Sequence, residues 1–265
     1  MPALLVLAFV AALLLPGCGS GGKPAGSSAP STGPQAGGPS FSFIVCGDPQ
    51  NNYEVFDRVL AAARSVDFLI IAGDLTGSGT DTEFENFVSH MDTSGVKYYA
   101  VPGNHDIATQ PLDEGYVPYI GPAHQSFDHK NCHFLLLDNC NQELGFYPAE
   151  QEWARQDLAA ARKRKPDHVI AVAHVPPGFP YSAKASASQI PGLDNNHEMV
   201  PLLAEGGVEE LFCGHVHTYM ESTDEGVLVT ITGGAGAPLL GTGSYYNYVQ
   251  VDINGRQRTQ KVVRI

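Results

Sequence analysis

The sequence predicts an α/β fold with a largely parallel sheet. Two patterns point to it. Short apolar, β-branched runs alternate with stretches of helical periodicity through the first two-thirds of the 265-residue chain. The final third is rich in strands with turn signals such as Asn254-Gly255, and reads as hairpins.

The predicted strands are FSFIVCG (41–47), DFLIIAG (67–73), KYYAVPG (97–103), HFLLLD (133–138), HVIAVAH (168–174), VEELFCG (208–214), VLVTITGG (227–234) and YVQVDING (248–255). Helical spacing recurs at Val55, Val59, Leu60 and Ala63 within 53–64, and at Phe84, Phe87, Val88 and Met91 within 81–92. A third helix, 148–164, opens with Pro148 and acids and closes with Arg162-Lys163-Arg164-Lys165. That polarity matches the helix dipole, so the basic run reads as a helix end rather than a nucleic-acid patch. Residues 107–127 and 175–195 are long irregular stretches, expected to form substrate-facing walls.

Three regions are expected along the chain. Residues 1–18 read as a lipoprotein signal peptide: an apolar run at 3–15, then Leu15-Pro16-Gly17-Cys18, which resembles a bacterial lipobox with Cys18 as the lipidated residue. Residues 19–40 are Gly/Ser/Pro-rich and read as a flexible tether. Residues 41–265 form one domain. The expectation is an exported protein, anchored by lipid to a bacterial cell-envelope membrane and touching that membrane only through the anchor; a soluble secreted or periplasmic form is the alternative.

A formal net charge of −13 repels a nucleic-acid backbone, so no nucleic-acid partner is expected. Phosphate substrates stay open, because bound cations reverse the local sign. Of the remaining cysteines, Cys132 and Cys140 bracket an extended run too long to bridge. Cys46 and Cys213 read as small buried residues beside motifs.

The strand ends carry the chemistry. They place Asp48 and Gln50, then Asp74, then Asn104-His105-Asp106, then His174, then His215 and His217 at one edge of the sheet. Grouping so many carboxylates, amides and imidazoles is unfavourable unless something satisfies them, and hard cations with mixed O and N ligands do so.

In this order and spacing, the residues resemble the calcineurin-like metallophosphoesterase superfamily, which includes purple acid phosphatases and class III cyclic-nucleotide phosphodiesterases. GDLTGSGT, VKYYAVPGNHD, EQEWARQDL, AHVPP and TGGAGAPLL extend the likeness across about residues 43–238. The resemblance implies a four-layer α/β/β/α sandwich: two mixed β-sheets flanked by helices. It implies hydrolysis of small phosphoesters at a dinuclear metal centre with a metal-bridging hydroxide. One ion would take Asp48, Gln50, Asp74 and His217; the other Asp74, Asn104, His174 and His215, with Asp74 bridging. His105 would be the general acid and Asp106 the residue that orients it; Asn104 and His105 would also contact substrate. An imidazole suits that proton transfer near neutral pH.

Gln50 departs from the family pattern, in which histidine is usual. Its carbonyl is a harder, weaker ligand than imidazole, so the site is expected to favour Mn, Fe or Mg over Zn. Alternatively Gln50 only hydrogen-bonds to a ligand. The leading functional expectation is a phosphomonoesterase. The alternatives are a cyclic-nucleotide or other phosphodiesterase, and a catalytically silent metal-binding surface lipoprotein. His124, His197, Tyr181, Tyr245 and Tyr246 are loop residues that could touch substrate, and Trp153 reads as packing.

Overall fold

Side-chain alternation in the strands sets the layers. In β1 (Ser40–Cys46), Phe43 and Val45 face one way, Ile44 and Cys46 the other, and all four are fully buried. A strand buried on both faces lies between two layers and reads as a continuous apolar run. The computed structural model describes residues 38–141, 144–178 and 198–265. The expected signal peptide, Cys18 and most of the tether lie outside the described residues, as do Tyr181, His197 and most of the 175–195 loop.

After β1 come α1 (Tyr53–Ala63), β2 (Phe68–Ala72), α2 (Asp81–Ser94), β3 (Tyr98–Val101) and the short α3 (Tyr116–Ile120). Then follow β4 (Gln125–His129), β5 (Cys132–Leu136), α4 (Pro148–Arg164), β6 (His168–Ala173) and α5 (Met199–Gly206). The chain closes with β7 (Glu210–Cys213), β8 (Tyr219–Asp224), β9 (Val227–Thr232), β10 (Asn247–Asn254) and β11 (Gln257–Arg264). One sheet has the order β11-β10-β1-β2-β3, the other β4-β5-β6-β7-β9-β8. Their centres, β1-β2-β3 and β5-β6-β7-β9, are parallel, and antiparallel hairpins at the margins make both sheets mixed. The four-layer α/β/β/α expectation is met.

Three apolar layers hold it together. Phe43, Phe68, Phe134, Ile170, Val172 and Phe212 fill the space between the sheets. Phe56, Leu60, Phe84 and Phe87 seal α1 and α2 against the first sheet. Leu158, Leu203, Leu211 and their neighbours seal α4 and α5 against the second. Thr80 and Glu83 form a capping box at the start of α2, and Gly95 ends it in a left-handed conformation. Arg162, Lys163 and Arg164 occupy the last turn of α4, as its polarity predicts. Cys46, Cys132, Cys140 and Cys213 are free and buried.

The sequence reading missed α3, β4, α5, β8 and β11. The 107–127 stretch is therefore not wholly irregular: it holds α3 and the start of β4. Trp153 packs as expected, its ring stacked on His124 at 4.3 Å. His124 in turn donates to the buried Glu150 at 2.5 Å, and burial pushes that carboxyl up to about 7.

His133 carries a pH-dependent share of stability. Its ring is 1% exposed and lies between Asp128 at 2.7 Å and Asp157 at 2.6 Å. Burial alone would lower its pKa; the bonds and charges of the two carboxylates outweigh that and raise it. The ion pairs are thus fully present below the unfolded histidine value of about 6.5, and are lost as pH rises through the raised folded value. His133→Gln should lose more melting temperature, relative to the parent, near pH 6 than near pH 9. Equal losses at both would show that charge on His133 adds nothing.

Candidate metal centre

The strand-end residues do converge. The Asp48 and Asp74 carboxylates and the His174 ring place one ligand atom each within 4.8 Å of one another, and all three are buried. Asp48 follows β1, Asp74 follows β2, and His174 follows β6 of the other sheet. The centre therefore lies where the C-terminal ends of both sheets meet.

The backbone is bent sharply to do this. Asp48, Gln50, Asp74 and His215 have φ of 61°, 41°, 53° and 66°. Left-handed backbone costs a side-chain-bearing residue about 1–2 kcal/mol, and such residues gather at functional sites. Hydrogen bonds hold the turns: Asp48 N–H donates to the Gly73 carbonyl at 3.0 Å, and Gln50 N–H to the Asp74 carbonyl at 3.1 Å. Neighbouring glycines make room. A Cβ on Gly103 would sit 2.1 Å from Asp74 Oδ1, and one on Gly73 2.3 Å from His174 Nδ1. This is the physical content of the GD and GNH pairs.

Hydrogen bonds also fix the rings. A carbonyl can only accept, so His174 Nδ1 carries the proton it gives to Ala72 O at 2.9 Å, and His217 Nδ1 the proton it gives to Pro238 O at 2.7 Å. That turns each Nε2 inward. His174 Nε2 then faces Asn104 Oδ1 at 3.0 Å, Asp74 Oδ1 at 3.3 Å and His215 Nδ1 at 3.3 Å. His215 Nδ1 lies 2.8 Å from the same Asn104 oxygen, and His217 Nε2 lies 3.4 Å from Asp48 Oδ1. With those protons on Nδ1, acceptor atoms crowd one another in a buried space, an arrangement that a positive charge between them, a proton or a metal ion, stabilises. The donor set, carboxylates, amides and imidazoles, fits divalent or trivalent metal ions.

Electrostatics point the same way. Burial raises Asp48, only partly offset by His217. Asp74 is also buried, but the charges of His174 and His105 outweigh that and hold it low. Burial would lower His174, yet Asp74 and Asp48 raise it. Burial and the His174 charge push His215 down to about 3, so the two rings do not both hold an extra proton.

Gln50 reaches the centre through its amide N–H, which donates to Asp74 Oδ2 at 2.9 Å. This is the hydrogen-bonding arrangement that the sequence reading left open beside direct ligation. The other Asp74 oxygen accepts from the His105 N–H at 2.9 Å.

His105 stands at the open side, with 41% of its side chain exposed and Nε2 4.0 Å from Asp74 Oδ2. Its Nδ1 donates to the Gly77 carbonyl at 2.7 Å. Asp106, expected to orient this ring, bonds the neighbouring loop. Its buried carboxylate accepts from Gly103 N, Leu75 N, Thr76 N and Thr76 Oγ1 at 2.8–3.1 Å, fixing the loop that offers the Gly77 carbonyl. Burial and the Asp74 charge push Asp106 up to about 6, against those four donors.

Sequence reasoning missed several supports. Asn139, fully buried, accepts from His174 N and Val175 N at 3.0 Å each and sets the turn after β6. Glu83 joins the Thr80 cap to Asn51 at 2.7 Å, tying α2 to the Asp48 turn. The carbonyls of Ala72, Gly77 and Pro238 leave no residue-type signal at all.

The chain resembles known proteins in a family model, in two relatives and in a solved structure. Residues 41–219 match the family model for calcineurin-like phosphoesterases. A 3′,5′-cyclic-nucleotide phosphodiesterase of Nostoc sp. is 28% identical over 168 residues, 62% of this chain and 60% of that protein. Purple acid phosphatase 21 of Arabidopsis thaliana is 25% identical over 197 residues, 68% of this chain and 44% of that protein. The chain thus spans about half the length of these relatives. Among solved structures, a purple acid phosphatase from yellow lupin (Lupinus luteus) has a similar fold, with a TM-score of 0.68 at 16% identity, covering 86% of this chain and 52% of that one.

Proposed function

The chain belongs to the calcineurin-like phosphoesterase family, and from that premise we propose that it hydrolyses small phosphoric monoesters at a pair of metal ions. The observation that carries the reading is the buried convergence of Asp48, Asp74 and His174 beside a solvent-facing His105. Asp48, Gln50, Asp74 and His217 would hold one ion; Asp74, Asn104, His174 and His215 the other. Bound there, the ions supply Lewis acidity toward phosphoryl oxygens and lower the pKa of the attacking water.

The chain's own groups do the rest. His105 N–H and Gln50 Nε2 each donate to one Asp74 oxygen, which fixes that carboxylate between the two halves of the site. The Asn104 amide donates to a phosphoryl oxygen. His105 delivers a proton from Nε2 to the departing oxygen, its Nδ1–H being occupied by the Gly77 carbonyl. Asp106 keeps that carbonyl in place.

Turnover of p-nitrophenyl phosphate and its bis-ester, on protein of known metal content, tests the reading. The monoester should be the better substrate. The reverse ratio would favour a phosphodiesterase, the reading supported by the Nostoc relative's name.

Gln50 tunes metal choice. Gln50→His exchanges an amide for a ring nitrogen, and should raise the Zn share relative to Mn and Fe when loaded from an equimolar mixture. Identical metal content in both proteins would remove Gln50 from metal selection.

A further inference from the structure

The charges of this chain are sorted by edge. Seven segments join elements at the edge that carries the metal ligands: 47–54, 73–86, 102–124, 137–150, 174–178, 214–220 and 233–247. None contains a lysine or an arginine. They contain Asp81, Glu85, Asp113, Glu114 and Asp138 besides the site carboxylates. The cations gather at the opposite ends of the strands: Arg64, Lys97, Lys130, Lys163 to Lys165, and Arg256. Arg58, Arg155 and Lys261 lie within α1, α4 and β11, and Arg264 stands at the ligand edge. It ends β11 at the margin of the first sheet, and its guanidinium lies 3.8 Å from the Tyr245 ring centre. Lys23 and Lys184 lie outside the described residues.

Apolar exposure is sorted the same way. Among the described residues, the large hydrophobic side chains that stand out into solvent are Val117 at 39%, Leu144 at 50%, Met220 at 53% and Leu240 at 59%. All four lie in the segments or elements of the metal-ligand edge. Two flank His217: Leu240 N–H donates to the His217 carbonyl at 2.9 Å, and Met220 is the second residue of β8, three residues on.

Resting on the phosphoesterase reading, we propose that this edge selects phosphoesters whose leaving group is apolar and carries no further negative charge, an aryl or alkyl phosphate rather than a polyphosphate or a phosphorylated carboxylic acid. Metal ions take the reacting phosphate. A second anionic group on the same substrate meets carboxylates and aliphatic side chains and, among the described residues of the joining segments, no lysine or arginine. Placing like charges together in this way is strongly unfavourable.

The test uses pairs that differ by one charge. Phenyl phosphate should exceed 3-carboxyphenyl phosphate in kcat/KM by at least about tenfold, and pyrophosphate should be poorer still. Raising salt from about 0.01 M to about 1 M shortens the screening length from about 30 Å to about 3 Å. That should narrow the gap, whereas purely steric rejection would leave it unchanged and overturn the proposal. Leu240→Lys should shift the ratio toward the carboxylated ester. Equal kcat/KM for the two esters also overturns it. Selection is read without turnover too, as binding of phenylphosphonate against 3-carboxyphenylphosphonate to the metal-loaded protein. Preference for the uncharged ring without hydrolysis of any ester would refute the hydrolase reading and keep the selection; equal affinity would refute the selection alone.

Discussion

Asp74→Ala should empty the metal centre. Asp74 is placed against groups from both halves of the site. It lies 3.3 Å from His174 Nε2 and accepts from His105 N and Gln50 Nε2 at 2.9 Å each. Its charge is also what raises His174 and, with His174 and His105, keeps the buried cluster balanced. Metal affinity should fall by more than about 100-fold, the upper range seen when only a residue behind a ligand is changed. Turnover should fall to background. Metal-to-protein ratios after loading and gel filtration check this. Alanine takes the same left-handed backbone at φ 53°, so a melting curve is needed to show that the variant is folded. A folded Asp74→Ala protein with full metal content would refute the bridging role.

His105→Ala should separate chemistry from metal binding. The ring touches the cluster only at 4.0 Å and keeps its other nitrogen on a backbone carbonyl, so its removal leaves every proposed ligand in place. Metal content should be unchanged. The rate should fall about 10²–10⁴-fold for an alkyl phosphate, whose leaving oxygen needs a proton. For p-nitrophenyl phosphate, whose leaving group departs as a stable anion, the loss should be much smaller. The ratio of the two losses is the diagnostic. Equal losses for both esters would show that His105 binds substrate instead of donating a proton.

The converging residues were legible because they sit at the ends of strongly apolar strands, several next to glycines. Gly73 and Gly103 have no room for a side chain beside His174 and Asp74, and each stands one letter before another converging residue, Asp74 and Asn104. The role of Asp106 was only half legible, because its partners are mainly backbone N–H groups of a loop about 30 residues away in sequence. The layers were legible from runs such as FLIIA in β2, every residue of which is buried. The edge strands were not. β8 reads YMESTD and is exposed along nearly its whole length, and β11 reads QRTQKVVR, polar at six of its eight positions. Edges carry polar residues that discourage pairing with other chains, and this erases the apolar signal. α3, five residues long and containing Pro118, is too short to show a helical period.

The first strand lies between β2 and β10, so the earliest and latest parts of this domain are hydrogen-bonded neighbours. During synthesis, Asp48 leaves the ribosome long before residues 247–254, which complete the sheet beneath it, and before Pro238, which pins His217. Such distant pairings form late. A growing chain therefore has most of the converging residues but no finished cage until residues 238–254 have been made and paired.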